Sequence, residues 1–284
     1  MTARLTYLGF HAVFVLPPLA VLGLVVYRRR DRIAARDWRV RAVGAAVLAA
    51  IALVYTTPWD NYLIARGVWW YGEGTVAATL WRAPVEEYLF FVLQPVVVAL
   101  WLYALPAPAG SVATDGRAAT NGETVTDGGA TTADESARGG TPATTRRSAT
   151  TVGVTVRDRL LGVAAGLAVG VVGVACLLAG DGTYYLGAIL AWAAPVFALQ
   201  WGFGWPYLWR VRRTLAAAVG VPTLYFWVAD AAALGLGVWH ISPAHTVGLA
   251  VAGLPLEEAT FFLVTNLFVV QGLLLFLWVV ARWR

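Results

Sequence analysis

Apolar runs of membrane-spanning length alternate with short polar segments along most of this 284-residue chain. A bilayer helix needs about 20 mostly apolar residues in a row, and seven runs approach or exceed that length. The pattern predicts an all-α integral membrane protein. Its seven transmembrane helices are expected at residues 7–27, 41–57, 84–105, 160–180, 183–204, 215–236 and 255–281.

One long polar segment separates the third predicted helix from the fourth. Residues 106–157 contain no aromatic residue, no Leu and no Ile, and they are rich in Thr, Ala, Gly and Ser. A segment of this kind cannot bury enough apolar surface to offset the entropy lost on ordering. We therefore predict a disordered linker without a chemical role.

The arginines predict the orientation of the helices. The segments after the first, third and fifth predicted helices and the C-terminus are rich in Arg, and the other loops are poor in it. The positive-inside rule then places the N-terminus outside and the C-terminus inside.

The composition narrows the possible chemistry. The mean hydropathy of +0.67 is rarely reached by a soluble domain. A single cysteine excludes an internal disulfide and a cysteine metal cage, and the absence of Lys excludes a retinal Schiff base. The net charge of +5 comes largely from arginines beside apolar runs, so it indicates membrane topology, and nucleic acid is not expected as a partner.

Two short motifs are near copies of each other. Pro84-Val85-Glu86-Glu87 and Pro255-Leu256-Glu257-Glu258 lie 171 positions apart, and each is followed by Phe-Phe. Asp60 and Asp230 are 170 apart, as are the Gly-Val-Trp tripeptides at 67–69 and 237–239. Tyr-Leu-Gly recurs at a spacing of 178, at 7–9 and 185–187.

These spacings predict two parallel three-helix repeats. Three helices reverse the direction of the chain, so one connecting helix is needed to restore it. The resulting 3+1+3 plan assigns residues 1–105 and 183–284 to the repeats, 106–157 to the linker and 158–182 to the connecting helix. A functional site is expected where the repeats meet.

Six acidic residues are related by the repeat. A Glu in the first turn is explained by the helix dipole alone, but neighbouring residues lie on different helix faces. At least one Glu of each pair should therefore point into the bundle, where ionisable groups are functional candidates. The candidate catalytic residues are Glu86, Glu87, Glu257, Glu258, Asp60 and Asp230.

The setting of these acids suits proton transfer. A low dielectric and a like charge nearby both favour a neutral carboxyl group, so one Glu could act as an acid and another as a base. Aromatic rings could stabilise a cation, although an interfacial belt explains a single Trp as well. The candidate substrate-binding residues are Trp69, Trp70, Phe90, Phe91, Trp239, Phe261 and Phe262.

Motifs for cofactors and metals are missing from the sequence. His11, His240 and His245 lack metal-ligand spacing, although His240 could relay protons. There is no Asp-rich diphosphate motif and no glycine fingerprint of a flavin or nicotinamide site. We therefore expect neither a cofactor nor a metal.

The duplicated Pro-x-Glu-Glu, together with Pro-Trp-Asp-Asn-Tyr at 58–62 and Gly-Val-Trp-Trp-Tyr at 67–71, resembles the membrane-integral lycopene cyclase family in its fused archaeal form. The resemblance covers the chain apart from the linker and the fourth helix. It implies redox-neutral β-cyclisation of lycopene through γ-carotene to β-carotene. The four glutamates would then form the acid–base set, with Asp60 and Asp230 as secondary candidates.

The resemblance also implies a multi-pass protein of the cell membrane. Its partners would be lycopene and other apolar carotenoids, the lipid bilayer, and a second copy of the chain or other carotenoid enzymes. The assignment of acid and base stays open, as does the choice among β-rings, ε-rings and C50 substrates.

Two other functions fit parts of the pattern. A proton-coupled transporter of small solutes could share the 3+1+3 plan and use buried Glu. A non-catalytic carotenoid-binding scaffold would tolerate Glu-to-Gln changes. Binding of a polyene, as opposed to a polar solute, would separate the transporter from the cyclase.

Overall fold

The computed structural model describes residues 5–30, 35–106 and 153–283. Within these ranges, seven helices are long and apolar enough to cross a membrane, which confirms that prediction. Most of the predicted linker, residues 107–152, lies outside the described part of the chain. The helices are α1 Tyr7–Arg28, α2 Ala35–Ala65, α3 Val85–Ala104, α4 Val156–Ala179, α5 Tyr184–Arg210, α6 Arg212–Gly235 and α7 Leu256–Arg282.

Helix α2 extends further than the sequence indicated. The prediction ended it at residue 57 and began a loop at Pro58, but the helix continues to Ala65. Side chains near a proline can bond the local carbonyl groups of an apolar helix. Here Thr57 Oγ1 donates to the carbonyl of Leu53 at 2.6 Å, and Asn61 Nδ2 donates to that of Thr57 at 2.9 Å. Asp60 is therefore a helical residue, as Asp230 is in α6.

Helix α4 begins earlier than predicted, at Val156, inside the segment assigned to the linker. Thr155 Oγ1 accepts from the backbone N–H of Asp158 at 3.1 Å, and Asp158 Oδ2 accepts from that of Thr155 at 3.0 Å. This reciprocal capping box stabilises the first turn of the helix. The Thr-x-x-Asp signal was readable in the sequence.

The predicted aromatic loops contain short strands. Their bounds are β1 Trp69–Tyr71, β2 Thr79–Leu80, β3 Ala83–Pro84, β4 Trp239–Ile241, β5 Ala250–Val251 and β6 Leu254–Pro255. Two hairpins, β2–β3 and β5–β6, lead directly into α3 and α7. Pro84 and Pro255 thus lie one residue before the first helical position, not at it.

Strand β1 pairs antiparallel with β4, so the two motif regions are in direct contact. Trp70 lies opposite His240, and these two residues occupy equivalent positions at the spacing of 170. The N–H of Gly72 donates to the carbonyl of Val238 at 3.0 Å, and that of Ser242 to Val68 at 2.8 Å. The hydrogen bonds therefore repeat on both sides of the central pair, as a local two-fold relation requires.

Helix α4 packs on α5 through a face of small residues. Gly162, Gly166 and Gly173 are buried, and a Cβ atom at Gly166 would lie 2.2 Å from the backbone nitrogen of Ala198. Small residues allow helix backbones to approach closely in apolar surroundings, where van der Waals packing drives association.

Replacing Gly166 by Ala should destabilise the purified protein by about 1–3 kcal/mol, because overpacking a close interface typically costs that much. Thermal unfolding in detergent, followed by circular dichroism, measures the change. The matched control is Gly220→Ala in α6, where the added Cβ meets no atom of the described residues within 4 Å. Equal unfolding temperatures for the two variants would contradict this packing.

Candidate active site

A cavity at the starts of α3 and α7 is lined by four of the six predicted acids. Glu87 and Glu258 reach it from the first turns of these two helices, and Asp60 and Asp230 from α2 and α6. Glu258, Asp60 and Asp230 are buried, and Glu87 is half-buried. We call this space the carboxyl cavity. It receives one Glu and one Asp from each motif region.

The other Glu of each pair bonds to a loop. Glu86 Oε1 accepts from the N–H of Ala77 at 2.7 Å, and Glu257 Oε1 accepts from that of Val247 at 2.7 Å. The second oxygen of each is buried without a hydrogen-bond partner among the described residues. Adjacent residues leave a helix in different directions, so one Glu lines the cavity while its neighbour holds the loop beside the helix start.

Three tyrosines donate hydrogen bonds to the cavity glutamates. The Tyr7 hydroxyl donates to Glu87 Oε2 at 2.8 Å, and that of Tyr185 donates to Glu258 Oε1 at 2.8 Å. Tyr7 and Tyr185 are equivalent at the spacing of 178, so each repeat supplies its glutamate with the same donor.

Tyr71 breaks this equivalence. Its hydroxyl is a second donor to Glu87 Oε2, at 2.9 Å, whereas the equivalent position in the second repeat is Ile241. Removal from solvent raises the pKa of Tyr71 well above its ordinary value, and the nearby Glu87 and Asp60 carboxylates raise it further. The phenol therefore keeps its proton and remains a donor to Glu87.

The two aspartates line the same cavity and have few hydrogen-bond partners among the described residues. The indole N–H of Trp239 donates to Asp230 Oδ1 at 2.9 Å. Asp60 Oδ2 and Asp230 Oδ2 are buried without a hydrogen-bond partner in the described part of the chain. Both residues are thus available to polarise or orient neighbouring groups.

Aromatic rings on residues distant in sequence pack in pairs around the carboxyl cavity. Tyr7 packs on Trp239 with ring centroids 5.0 Å apart, and Tyr185 packs on Trp69 at 5.4 Å. Of the residues predicted to bind substrate, five line this cavity: Trp69, Phe90, Trp239, Phe261 and Phe262. Phe91 lines a neighbouring apolar cavity, together with Phe90 and Phe261.

Trp70 lies away from both cavities. It is 48% exposed and stacks on His240 with ring centroids 5.7 Å apart. Successive side chains of a strand point to opposite faces, so Trp69 and Tyr71 face the cavity while Trp70 faces out. The same alternation could have identified Tyr71, which the sequence analysis missed. Tyr7 and Tyr185 were also missed as functional residues, although their repeat was visible.

The geometry suits proton transfer to and from an apolar molecule. Two glutamates with phenol donors can give and take protons, and surrounding aromatic faces can stabilise an intermediate cation. No three His, Cys, Asp or Glu side chains within the described ranges are placed to hold a metal ion.

Comparison with known proteins agrees with this chemistry. The family described as lycopene cyclase matches residues 5–105 and 182–277. Proteins called lycopene beta-cyclase from two strains of Halobacterium salinarum are each 48% identical over 279 residues, covering 98% of this chain and 99% of the relative.

A more distant match is the bifunctional lycopene cyclase/phytoene synthase of Aspergillus niger, 30% identical over 93% of this chain and 38% of that protein. No solved structure gives a significant match. The extent of the family match and the identity to the Halobacterium proteins show that this chain belongs to the lycopene cyclase family.

Proposed function

We propose that this protein is a lycopene β-cyclase that closes the two ψ-ends of lycopene into β-ionone rings. The observation that supports it most directly is the pair Glu87 and Glu258, one from each repeat, in one aromatic-lined cavity. The two Halobacterium proteins, which match this chain over nearly their full length, are both called lycopene beta-cyclase.

The reaction needs one acid and one base. A carboxylic acid protonates C2 of the terminal double bond, which leaves a tertiary cation at C1. The C5=C6 double bond attacks this cation, and the new C1–C6 bond closes a six-membered ring with a cation at C5. A carboxylate then removes the proton from C6, which restores the C5=C6 double bond. Product and substrate are isomers, so no electrons are gained or lost.

Glu87 and Glu258 are the groups that would exchange these protons. Their tyrosine partners orient the carboxyl groups toward the cavity, and the walls of Phe and Trp shield the cations from water. Asp60 and Asp230 would present carboxyl oxygens, which are the negative ends of local dipoles, to the cationic intermediates. In this proposal Glu86 and Glu257 position the helix starts and do not touch the substrate.

The membrane arrangement is part of the same proposal. We infer a multi-pass protein of the cell membrane with two parallel three-helix repeats, residues 1–105 and 183–284, joined through the linker 106–157 and the helix of 158–182. The arginine distribution supports an outer N-terminus. The lipid bilayer is then the partner that supplies the apolar substrate. A homo-oligomer or a complex with other carotenoid enzymes stays a prediction from the family resemblance.

The alternatives from the sequence have less support. The named matches are cyclases, and this does not favour a proton-coupled transporter. A non-catalytic scaffold does not explain why two glutamates converge on one cavity.

Glu87→Gln and Glu258→Gln should each reduce conversion of lycopene by roughly 10²–10⁴-fold, the usual contribution of a general acid or base. The amide keeps the size of the side chain but cannot exchange the proton. Chromatography of pigments from a lycopene-accumulating bacterium expressing each variant measures the loss.

The matched control for that experiment is Glu73→Gln, which makes the same change at an exposed loop residue. It should leave conversion unchanged at equal membrane levels of protein. Normal β-carotene in both cavity variants would exclude Glu87 and Glu258 as the acid and base.

Glu86 should respond to a different substitution. Glu86→Gln keeps an oxygen to accept from the Ala77 N–H, so that loop should stay protected from hydrogen–deuterium exchange. Glu86→Leu removes the acceptor of the hydrogen bond from the exposed Ala77, and losing such a bond typically costs about 0.5–1.5 kcal/mol. Amide exchange around Ala77, measured by mass spectrometry, should therefore rise in the Leu variant. Equal exchange in both variants would contradict the positioning role.

A further inference from the structure

An apolar chamber adjoins the carboxyl cavity between α2, α3, α5 and α7. The two spaces share the walls Phe90 and Phe261. Beyond these rings, the chamber is bordered by Thr56, Phe91 and Trp192, among other mostly apolar side chains. It therefore borders the candidate active site across the rings of Phe90 and Phe261.

The chamber reaches the outer face of the helices. Ile51 lines it and is 54% exposed on the surface of α2. An apolar surface on a membrane-length helix faces the lipid chains in a bilayer. The chamber thus lies between the hydrocarbon region and the rings of Phe90 and Phe261 that border the carboxyl cavity.

The second repeat has a different residue at the position that lines this chamber. The backbone frame is the same on both sides, because Tyr55 donates to the carbonyl of Trp192 at 2.7 Å and its equivalent Tyr225 donates to that of Phe14 at 2.7 Å. The next residue is Thr56 in the first repeat and Phe226 in the second, at the spacing of 170.

Phe226 fills the space on its own side. It is fully buried, stacks on Phe262 with centroids 5.6 Å apart, and meets Phe90 edge-on at 5.8 Å. The side chain of Thr56 is smaller than that of Phe226 because it has no aromatic ring. The chamber therefore has open space beside Thr56, where the equivalent ring of Phe226 is packed in the other half.

We propose that the apolar chamber holds the polyene chain of the substrate while its end group reacts in the carboxyl cavity, and that Thr56 keeps this side open where Phe226 closes the other. The inference rests on the proposed cyclase function and deepens it. The chamber lies on one side of the repeats. The two ends of lycopene therefore react one after the other, and each time the rest of the polyene chain occupies this chamber.

The walls fit a conjugated hydrocarbon better than a polar solute. Flat aromatic side chains offer stacking surfaces to a rigid polyene. Gln200 Oε1 and the indole N–H of Trp192 are buried without a hydrogen-bond partner among the described residues, but other polar groups of the chamber are engaged. Gln94 donates to Asn266 Oδ1 at 2.6 Å, and Gln200 donates to the carbonyl of Phe268 at 2.9 Å. A hydrocarbon leaves these bonds intact, whereas a polar ligand would compete with them.

Thr56→Phe tests the proposal by placing in the first repeat the ring that fills the second. Lycopene bound to purified protein is measured by extraction and absorbance in a Glu258→Gln background, where it is not consumed. Bound lycopene per protein should fall about tenfold or more, because overpacking by a ring typically has an effect of this size. Lycopene conversion by Thr56→Phe without the second change should fall in parallel.

Two matched variants control for the added bulk and the lost hydroxyl. Val54→Phe adds a ring on the lipid-facing side of the same helix and should leave binding and conversion unchanged. Thr56→Val keeps the shape without the hydroxyl and should also bind. Should Thr56→Phe fail to fold, Ala52→Leu narrows the chamber from a half-exposed position, and bound lycopene should fall there too.

The outcomes separate this inference from the proposed function. A folded Thr56→Phe that binds as much lycopene as its parent overturns the chamber, even if the wild-type protein cyclises. Lost binding in Thr56→Phe upholds the chamber as a polyene site, even if the wild-type protein fails to cyclise. Wild-type protein that retains phospholipid chains but no lycopene overturns it as well, since the occupant is then lipid.

Discussion

Buried carboxyl groups among apolar helices need hydrogen-bond donors, and this constraint shapes the protein around both Pro-x-Glu-Glu motifs. A polar group left unpaired in such surroundings costs several kcal/mol. The backbone N–H groups of Ala77 and Val247 supply donors to Glu86 and Glu257, and the phenols of Tyr7 and Tyr185 supply them to Glu87 and Glu258. Loops, strands and helix starts are thereby held around one cavity.

The same cavity depends both on residues that are equivalent in the two motif regions and on positions where the two regions differ. Equivalent pairs such as Tyr7 and Tyr185 build a frame in which two glutamates meet. An acid and a base must nevertheless have different surroundings to perform different tasks. Glu87 has two phenol donors and Glu258 has one, because Tyr71 corresponds to Ile241. Thr56 and Phe226 are a second unequal pair, because Thr56 lines the apolar chamber and Phe226 is packed on the other side.

Much of this organisation could be predicted from the sequence. Hydrophobic run lengths located the seven helices, since the thickness of a bilayer sets a narrow length. Exact spacings identified the acidic pairs that share the cavity. The sequence could not tell Glu86 from Glu87, because the direction of each side chain depends on the helix start and on the loop that packs beside it.

Other features were not predicted because they depend on contacts that the sequence pattern does not show. Pro58 signalled a helix end, but nearby Thr57 and Asn61 bond to the local carbonyls and α2 continues. The region around Trp69 was treated as a loop, so the alternation that turns Trp70 outward and Tyr71 inward was not used. The strand exists because it pairs with β4, a contact about 170 residues away in sequence.

In the proposed reaction, a carboxylic acid of the protein donates the proton that starts ring closure. The most direct test is a single turnover of lycopene by excess purified protein that has been equilibrated in D₂O. Mass spectrometry and NMR of the products should show one deuterium per ring, at C2, so that γ-carotene gains one and β-carotene two. Rings formed without deuterium at C2 would contradict the account, because the proton would then not come from an exchangeable group of the protein.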